Sequence, residues 1–117
     1  YKRQVESLGP GNVLSLRVYS EHVTEVFDSV GRLGVPAERI AGEAIREYKK
    51  YEAAGAPVGP HLADQLLVLM AIGKGGVFRT SRPTLHTRTN MAVIEQLTGR
   101  KTEALEVAED VWELSME

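Results

Sequence analysis

The chain has 117 residues, which suits one modest domain or parts of two. A net charge of −2 and a charged fraction of 26% are ordinary for a globular protein, and they exclude a chain that is polybasic throughout. The absence of cysteine excludes disulfides and thiolate metal sites and fits a reducing compartment, so we expect a cytoplasmic protein with neither a signal peptide nor a membrane span.

The first part of the sequence predicts one strand followed by two helices. Residues 13–20 alternate apolar and polar side chains, which indicates a half-buried strand. Ser20 can cap a helix that ends at Gly34. The apolar stripe of that helix would consist of Val23, Val26, Phe27 and Val30. Pro36 opens a second amphipathic helix, which is expected to stop at Gly55.

A segment rich in glycine and proline, residues 54–60, divides the sequence, and we place the domain boundary at its start. The helix expected next, at residues 61–72, is apolar on nearly all sides and is therefore predicted to be buried. A short strand at 77–80 and an extended segment at 84–87 should follow it.

The last part of the sequence predicts one more helix and a hairpin. Thr89 or Asn90 can cap the helix, and Gly99 can end it. The apolar stripe of this helix would comprise Met91, Val93, Ile94 and Leu97. Two alternating segments, 102–108 and 111–116, predict the hairpin. Strands and helices are thus intermixed, which predicts an α/β fold of the α+β kind.

Three polar side chains share one face of the apolar helix at 61–72. His61, Asp64 and Gln65 are spaced i, i+3 and i+4, so they lie side by side. Burying a carboxylate is costly unless it is paired. One interpretation is the edge of a pocket, where a stacking ring, a carboxylate and an amide face a ligand. The other is structural, with Asp64 paired to an arginine or capping the helix start.

One histidine, His86, lies just ahead of an expected helix start in a basic stretch. No acidic residue occurs between Asp64 and Glu95. Four basic residues do: Lys74, Arg79, Arg82 and Arg88. Free N–H groups at a helix start favour phosphate, and their field would keep the imidazole neutral, as a nucleophile requires. His86 could also be a general base, a metal ligand or a surface histidine; metal ligation is weakly supported because no second histidine has ligand spacing.

Two motifs carry a resemblance to a known family. The sequence is similar to the C-terminal part of RNA 3′-terminal phosphate cyclases at GAPVGPHLADQLL, residues 55–67, and at LHTRTNMAVIE, residues 85–95. The segments GPGN at 9–12 and SEHVTEVF at 20–27 resemble the same family, so the similarity covers most of the chain.

The resemblance implies a domain organisation. The large domain of the family repeats a unit of two helices packed on a four-stranded sheet, and a smaller α/β domain is inserted before the last repeat. Residues 1–54 would then be the C-terminal part of the inserted domain with a connecting helix. Residues 55–117 would be the last repeat unit of the large catalytic domain.

The resemblance also implies an activity. Family members are ligases that use ATP and a divalent metal, Mg or Mn, to convert an RNA 3′-phosphate into a 2′,3′-cyclic phosphate. His86 matches the histidine that becomes joined to AMP. Asp64 and Gln65 match a nucleotide-binding motif, and His61 stands where a tyrosine commonly stacks on adenine. The expected partners are ATP, RNA 3′-phosphate ends and the rest of a longer parent chain, with no membrane.

The family site also needs acidic, arginine and glutamine residues from an N-terminal part that the resemblance places outside these 117 residues. We therefore expect the chain alone to be inactive. Two alternatives stay open: a non-catalytic cyclase-like protein of ribosome assembly, and a plain α/β interaction module without a site. The non-catalytic branch lacks the histidine, so the intact HTRTN motif around His86 favours the enzyme.

Overall fold

The computed structural model describes all residues from 1 to 117 and contains three helices and two antiparallel sheets. In chain order the elements are β1 (Val13–Tyr19), β2 (Thr24–Val30), α1 (Ala37–Ala54), α2 (Pro60–Ile72), β3 (Gly76–Thr80), α3 (Leu85–Thr98), β4 (Thr102–Ala108) and β5 (Val111–Met116). This arrangement confirms the predicted α/β fold of the α+β kind. None of the three helices combines the length and the apolar character that crossing a membrane would require.

The first sheet is a two-stranded hairpin with α1 packed against it. Strand β1 pairs antiparallel with β2, and Leu16 lies opposite Phe27. The Phe27 ring packs against two tyrosines of α1, with centroids 6.0 Å from Tyr48 and 5.5 Å from Tyr51. As predicted, α1 follows Pro36 and ends where the next glycine adopts the left-handed conformation.

The helix predicted over residues 20–34 is wrong, because strand β2 occupies the centre of that segment. Its valines recur at a helical spacing, yet Val26 and Val30 are exposed. The side chains that point inward are Glu25, Phe27 and Ser29, at alternate positions. Seven residues of β2 pair with β1, and both polar inward side chains find hydrogen-bond partners, so strand pairing overrides the local pattern.

The second sheet has three strands in the order β3-β5-β4, and α2 and α3 pack against it. The predicted terminal hairpin is confirmed, and Asp110 in its turn has a positive φ of 55°. The core between helices and sheet consists of Leu67, Met91, Ile94, Leu114 and Met116. At the free edge of β3, Val58 forms a single parallel bridge with Thr80. The sheet thus has three strands, and this bridge is its one additional pairing.

Helix α2 is not buried on nearly all sides as predicted. Its buried residues are Ala63 and Leu67. The side chains of Val68, Leu69 and Ile72 are more than half exposed. Helix α2 packs mainly against α3 and one face of the sheet, so much of this apolar helix is left uncovered. The boundary at residues 54–60 stays a prediction; the segment there connects α1 to α2.

Candidate functional site

Helix α3 begins earlier than the sequence pattern predicts. Thr84, not Thr89 or Asn90, is the N-cap, and its Oγ1 accepts the Thr87 N–H at 3.1 Å. The segment predicted to be extended is therefore mostly the first helical turn. His86 lies inside that turn rather than ahead of it. The earlier start is favoured because it buries Thr87 completely and gives its hydroxyl a partner on α2.

A chain of hydrogen bonds joins the two sequence motifs. The Thr87 hydroxyl donates to Asp64 Oδ1 at 2.7 Å, and it lies 2.9 Å from the Thr84 hydroxyl. An ionised carboxylate can only accept, so the Thr84 hydroxyl donates to Thr87 in turn. Asp64 thus ends a directed chain that starts at the Thr87 N–H. This chain ties the second turn of α2 to the first turn of α3.

The other predicted site residues surround this junction on the surface. His61 and Gln65 share the helix face of Asp64 by their spacing, and both are exposed. His86 is also exposed, next in sequence to Thr87. The structure thus brings Asp64 to the helix turn that carries His86. It leaves the two histidines open to solvent without a fixed hydrogen-bond partner.

The start of α3 offers free donors. The first intrahelical bond runs from the Arg88 N–H to the Thr84 carbonyl at 3.1 Å, so the N–H groups of Leu85 and His86 precede it and have no acceptor in the helix. Unpaired N–H groups and the helix dipole make this end locally positive. The surroundings of His86 are therefore suited to a phosphate group.

The basic stretch is partly neutralised by the end of the chain, residues 102–117, which contains six acidic residues and no basic one. Strand β5 lies beside β3, and Glu113 forms an ion pair with Arg79, with Oε2 and Nε 3.1 Å apart. The Arg88 guanidinium lies 5.5 Å from the centre of the Trp112 ring, a cation–π geometry. The remaining bases of the stretch, Lys74 and Arg82, are exposed. Basic and acidic residues that are far apart in the sequence therefore lie close together in the structure.

The candidate site is not part of either of two surface cavities near the first sheet. Two cavities, of about 520 and 400 Å³, lie beside β1, β2 and α1, away from His86. No group of three or more histidine, cysteine, aspartate or glutamate residues is arranged to hold a metal ion. The chain thus provides donors and a carboxylate at the α2–α3 junction, but not the ligand set of a protein-only metal site.

Sequence reasoning missed three participants: Thr84, Thr87 and Trp112. The spacing of Thr84 and Thr87 is that of an N-cap and its N3 residue, which is a signal that the sequence does contain. The position of Trp112 beneath Arg88 depends on the pairing of β5 with β3 and has no local signal.

A comparison with protein families gives a match over most of the chain. The family model described as RNA 3′-terminal phosphate cyclase matches residues 3–104, which is most of the chain. The chain therefore belongs to the RNA 3′-terminal phosphate cyclase family. Both motifs and the complete α2–α3 pair lie inside the matched range, whereas most of the terminal hairpin lies outside it. Membership indicates a cyclase-like function.

Proposed function

We propose that this chain supplies the nucleophile of an RNA 3′-terminal phosphate cyclase, with His86 accepting AMP from ATP. One observation carries the proposal. The Thr87–Asp64 hydrogen bond joins the helix turn that contains His86 to the face of α2 that contains Asp64 and Gln65. Two segments that are separate in the sequence thereby form one surface, as a shared nucleotide site requires.

The proposed reaction has three displacements at phosphorus. A ring nitrogen of His86 attacks the α-phosphorus of ATP; a P–N bond forms, the bond to pyrophosphate breaks, and the other ring nitrogen gives its proton to solvent. An oxygen of the RNA 3′-phosphate then attacks the same phosphorus and breaks the P–N bond. Finally the RNA 2′-OH attacks the 3′-phosphorus, loses its proton and expels AMP, which leaves the 2′,3′-cyclic phosphate.

Residues of this chain have separate tasks in that scheme. The unpaired N–H groups of Leu85 and His86 offset charge on the phosphate next to the histidine. Asp64 Oδ1 accepts a hydrogen bond from Thr87, which leaves Oδ2 to accept one from a hydroxyl or amino group of the nucleotide. Exposed His61 offers a ring for stacking on adenine, and Gln65 offers an amide.

The divalent metal that the family implies is not assigned to residues of this chain. Asp64 is a single carboxylate with one oxygen already bonded to Thr87, and no cluster of metal-ligating side chains surrounds it. Mg²⁺ is usually held by one or two carboxylates together with substrate phosphates and waters. Asp64 could supply only one of those ligands. The roles proposed for the residues of this chain therefore involve no metal contact.

The test uses the full-length protein that carries these residues, because we expect further site groups outside them. The protein is incubated with ATP radiolabelled in the α-phosphate, and covalent label is measured after denaturation. We expect the unmodified protein to be labelled and His86→Ala to lose the label. The label should be released by mild acid, because a phosphoramidate bond is acid-labile. His22→Ala is the matched control, since the His22 side chain is also highly exposed and lies outside the site.

Three outcomes of this experiment would count against the proposed enzyme or favour one of the two alternatives. Label that survives His86→Ala would reject His86 as the nucleophile. Normal ATP binding without any label would favour a non-catalytic cyclase-like protein. Absence of both ATP binding and label in a folded full-length protein would favour an interaction module. Formation of cyclic ends on RNA with a 3′-phosphate then completes the assignment for a labelled protein.

A further inference from the structure

The start of helix α2 is held by a carboxylate from a distant part of the chain. Glu25, on β2, is only 4% exposed, and its Oε1 accepts the Gly59 N–H at 2.5 Å. Gly59 is the N-cap of α2 and has no side chain to cap the helix, and Pro60 at the next position has no N–H. Glu25 therefore supplies, from another part of the chain, the acceptor that a glutamate of the first turn gives to the N-cap N–H in a capping box.

The fit between Glu25 and Gly59 is close. A Cβ at residue 59 would lie 2.9 Å from Glu25 Oε2 and 3.0 Å from its Cδ. Gly59 has a φ of −79°, which any residue can adopt. A side chain at residue 59 would therefore displace the Glu25 carboxylate from its present position.

The start of α2 is an electrostatically favourable position for the Glu25 carboxylate. Glu25 forms no ion pair with any lysine, arginine or histidine. Its carboxylate instead lies at the positive end of the α2 dipole, which stabilises an anion. Tyr51 contacts the segment that leads into α2, where its hydroxyl donates a hydrogen bond to the Pro57 carbonyl at 3.1 Å. Burial and then the charge of Glu25 raise the pKa of Tyr51.

We infer that Glu25 is a positioning residue for the nucleotide site, which rests on the function proposed above. The three α2 residues assigned to ATP lie in the first two turns, directly after the bond between Glu25 and Gly59. The Val58–Thr80 bridge holds the segment before α2, and Thr87 holds Asp64. The Glu25 bond acts between these two restraints, at the N-cap itself. Strand β2 thereby acts on ATP binding from outside the α2–α3 pair.

The test is the ATP dependence of His86 labelling in the full-length protein. In Glu25→Ala we expect the KM for ATP to rise about fivefold, the effect of losing one helix cap, with kcat changed much less. Glu25→Gln keeps an acceptor for the Gly59 N–H and should restore most of the affinity. Glu43→Ala is the matched control: Glu43 is a hydrogen-bonded carboxylate of α1 that binds Arg32 and Ser29, far in sequence from α2.

A double substitution tests the contact itself. Gly59→Ala should raise the KM in the normal background because its Cβ meets the carboxylate, and it should raise the KM much less in Glu25→Ala, where space is free. Additive effects would overturn the inference. So would a Glu25→Ala protein that melts earlier but keeps its KM, because Glu25 would then only stabilise the fold.

The outcome for Glu25 is separable from the outcome for the function. An unmodified protein that labels normally, together with an unchanged KM in every Glu25 variant, overturns the positioning role and leaves the proposed function intact. An unmodified protein that binds no ATP refutes the proposed function and the ATP role of Glu25 together. Amide hydrogen exchange at Gly59 and His61 in Glu25→Ala then reports whether the cap holds the helix start.

Discussion

Replacing Thr87 with valine tests the hydrogen-bond chain between α2 and α3. The side chain is completely buried, and valine has nearly the same shape and the same branching at Cβ. The substitution therefore removes the hydroxyl and little else. Asp64 loses its donor at 2.7 Å, and the Thr84 hydroxyl loses its partner at 2.9 Å.

The expected cost follows from these two bonds. A hydrogen bond to a charged group contributes about 1.5–3 kcal/mol and a neutral one about 1 kcal/mol. Water can partly replace Thr87 at the half-buried Asp64, so we expect a loss of about 2 kcal/mol in the free energy of unfolding. For a chain of this size the melting temperature should fall by about 8 °C.

Urea unfolding followed by circular dichroism measures the change, with Thr89→Val as the control. Thr89 is an exposed threonine of the same helix, and its substitution should stay within about 0.5 kcal/mol of the unmodified protein. A double-mutant cycle with Asp64→Asn should give a coupling energy of about 1 kcal/mol between residues 64 and 87. Equal stability of the Thr87→Val and Thr89→Val proteins would refute the proposed hydrogen-bond chain.

Three further predictions concern the fold around the site. The Thr102 N–H and then its hydroxyl lower the pKa of Glu95, so this carboxylate adds stability above its unfolded-state pKa and loses it as the pH falls through the folded-state pKa. Glu95→Gln should therefore flatten the acid limb of a pH–stability curve, and an unchanged limb would contradict the assignment. Gly99→Ala should cost about 1 kcal/mol in urea unfolding, because residue 99 has a φ of 73° and open space around it; Gly9→Ala, without positive φ, should cost nothing measurable. Leu67→Ala should cost about 3 kcal/mol in the same assay because Leu67 is fully buried in the core; a loss below about 1 kcal/mol would mean that the α2–sheet packing is wrong.

Much of the fold was predictable because local signals agreed with the tertiary contacts. Pro36 and Gly55 bracket α1 at the expected places, and the alternating segments near the end form the expected hairpin. The acidic turn residue Asp110 accepts a positive φ there, which aspartate tolerates better than most residues. In each case the information lies within a few residues of the element it defines.

The error over β2 has a different origin. Val23, Val26, Phe27 and Val30 fit a helical stripe, and alternation at Glu25, Phe27 and Ser29 would have required two polar residues to point inward. Inward polar residues are acceptable only when partners exist. Those partners are Glu43 on α1 and the N–H of Gly59 on another element, which no local pattern reveals.

The candidate site, like the fold, was only partly predictable from the sequence. His61, Asp64, Gln65 and His86 were named from spacing and from motifs, and the family match covers all four. Their assigned roles stay predictions. The contact that joins them, Thr87 with Asp64, links residues that are 23 positions apart. It depends on where α3 starts, and the sequence offers several threonines as candidate caps.

The sequence by itself determined the family, the class of fold and the limits of those helices whose proline and glycine signals are local. The tertiary structure decided which of two periodicities the segment at 24–30 follows, and which threonine begins α3. The physical reason is that a buried hydroxyl or carboxylate costs free energy unless a donor or acceptor meets it, and that partner can be distant in the sequence. Glu25 at Gly59 and Thr87 at Asp64 are two such pairs, and both lie next to residues of the candidate site.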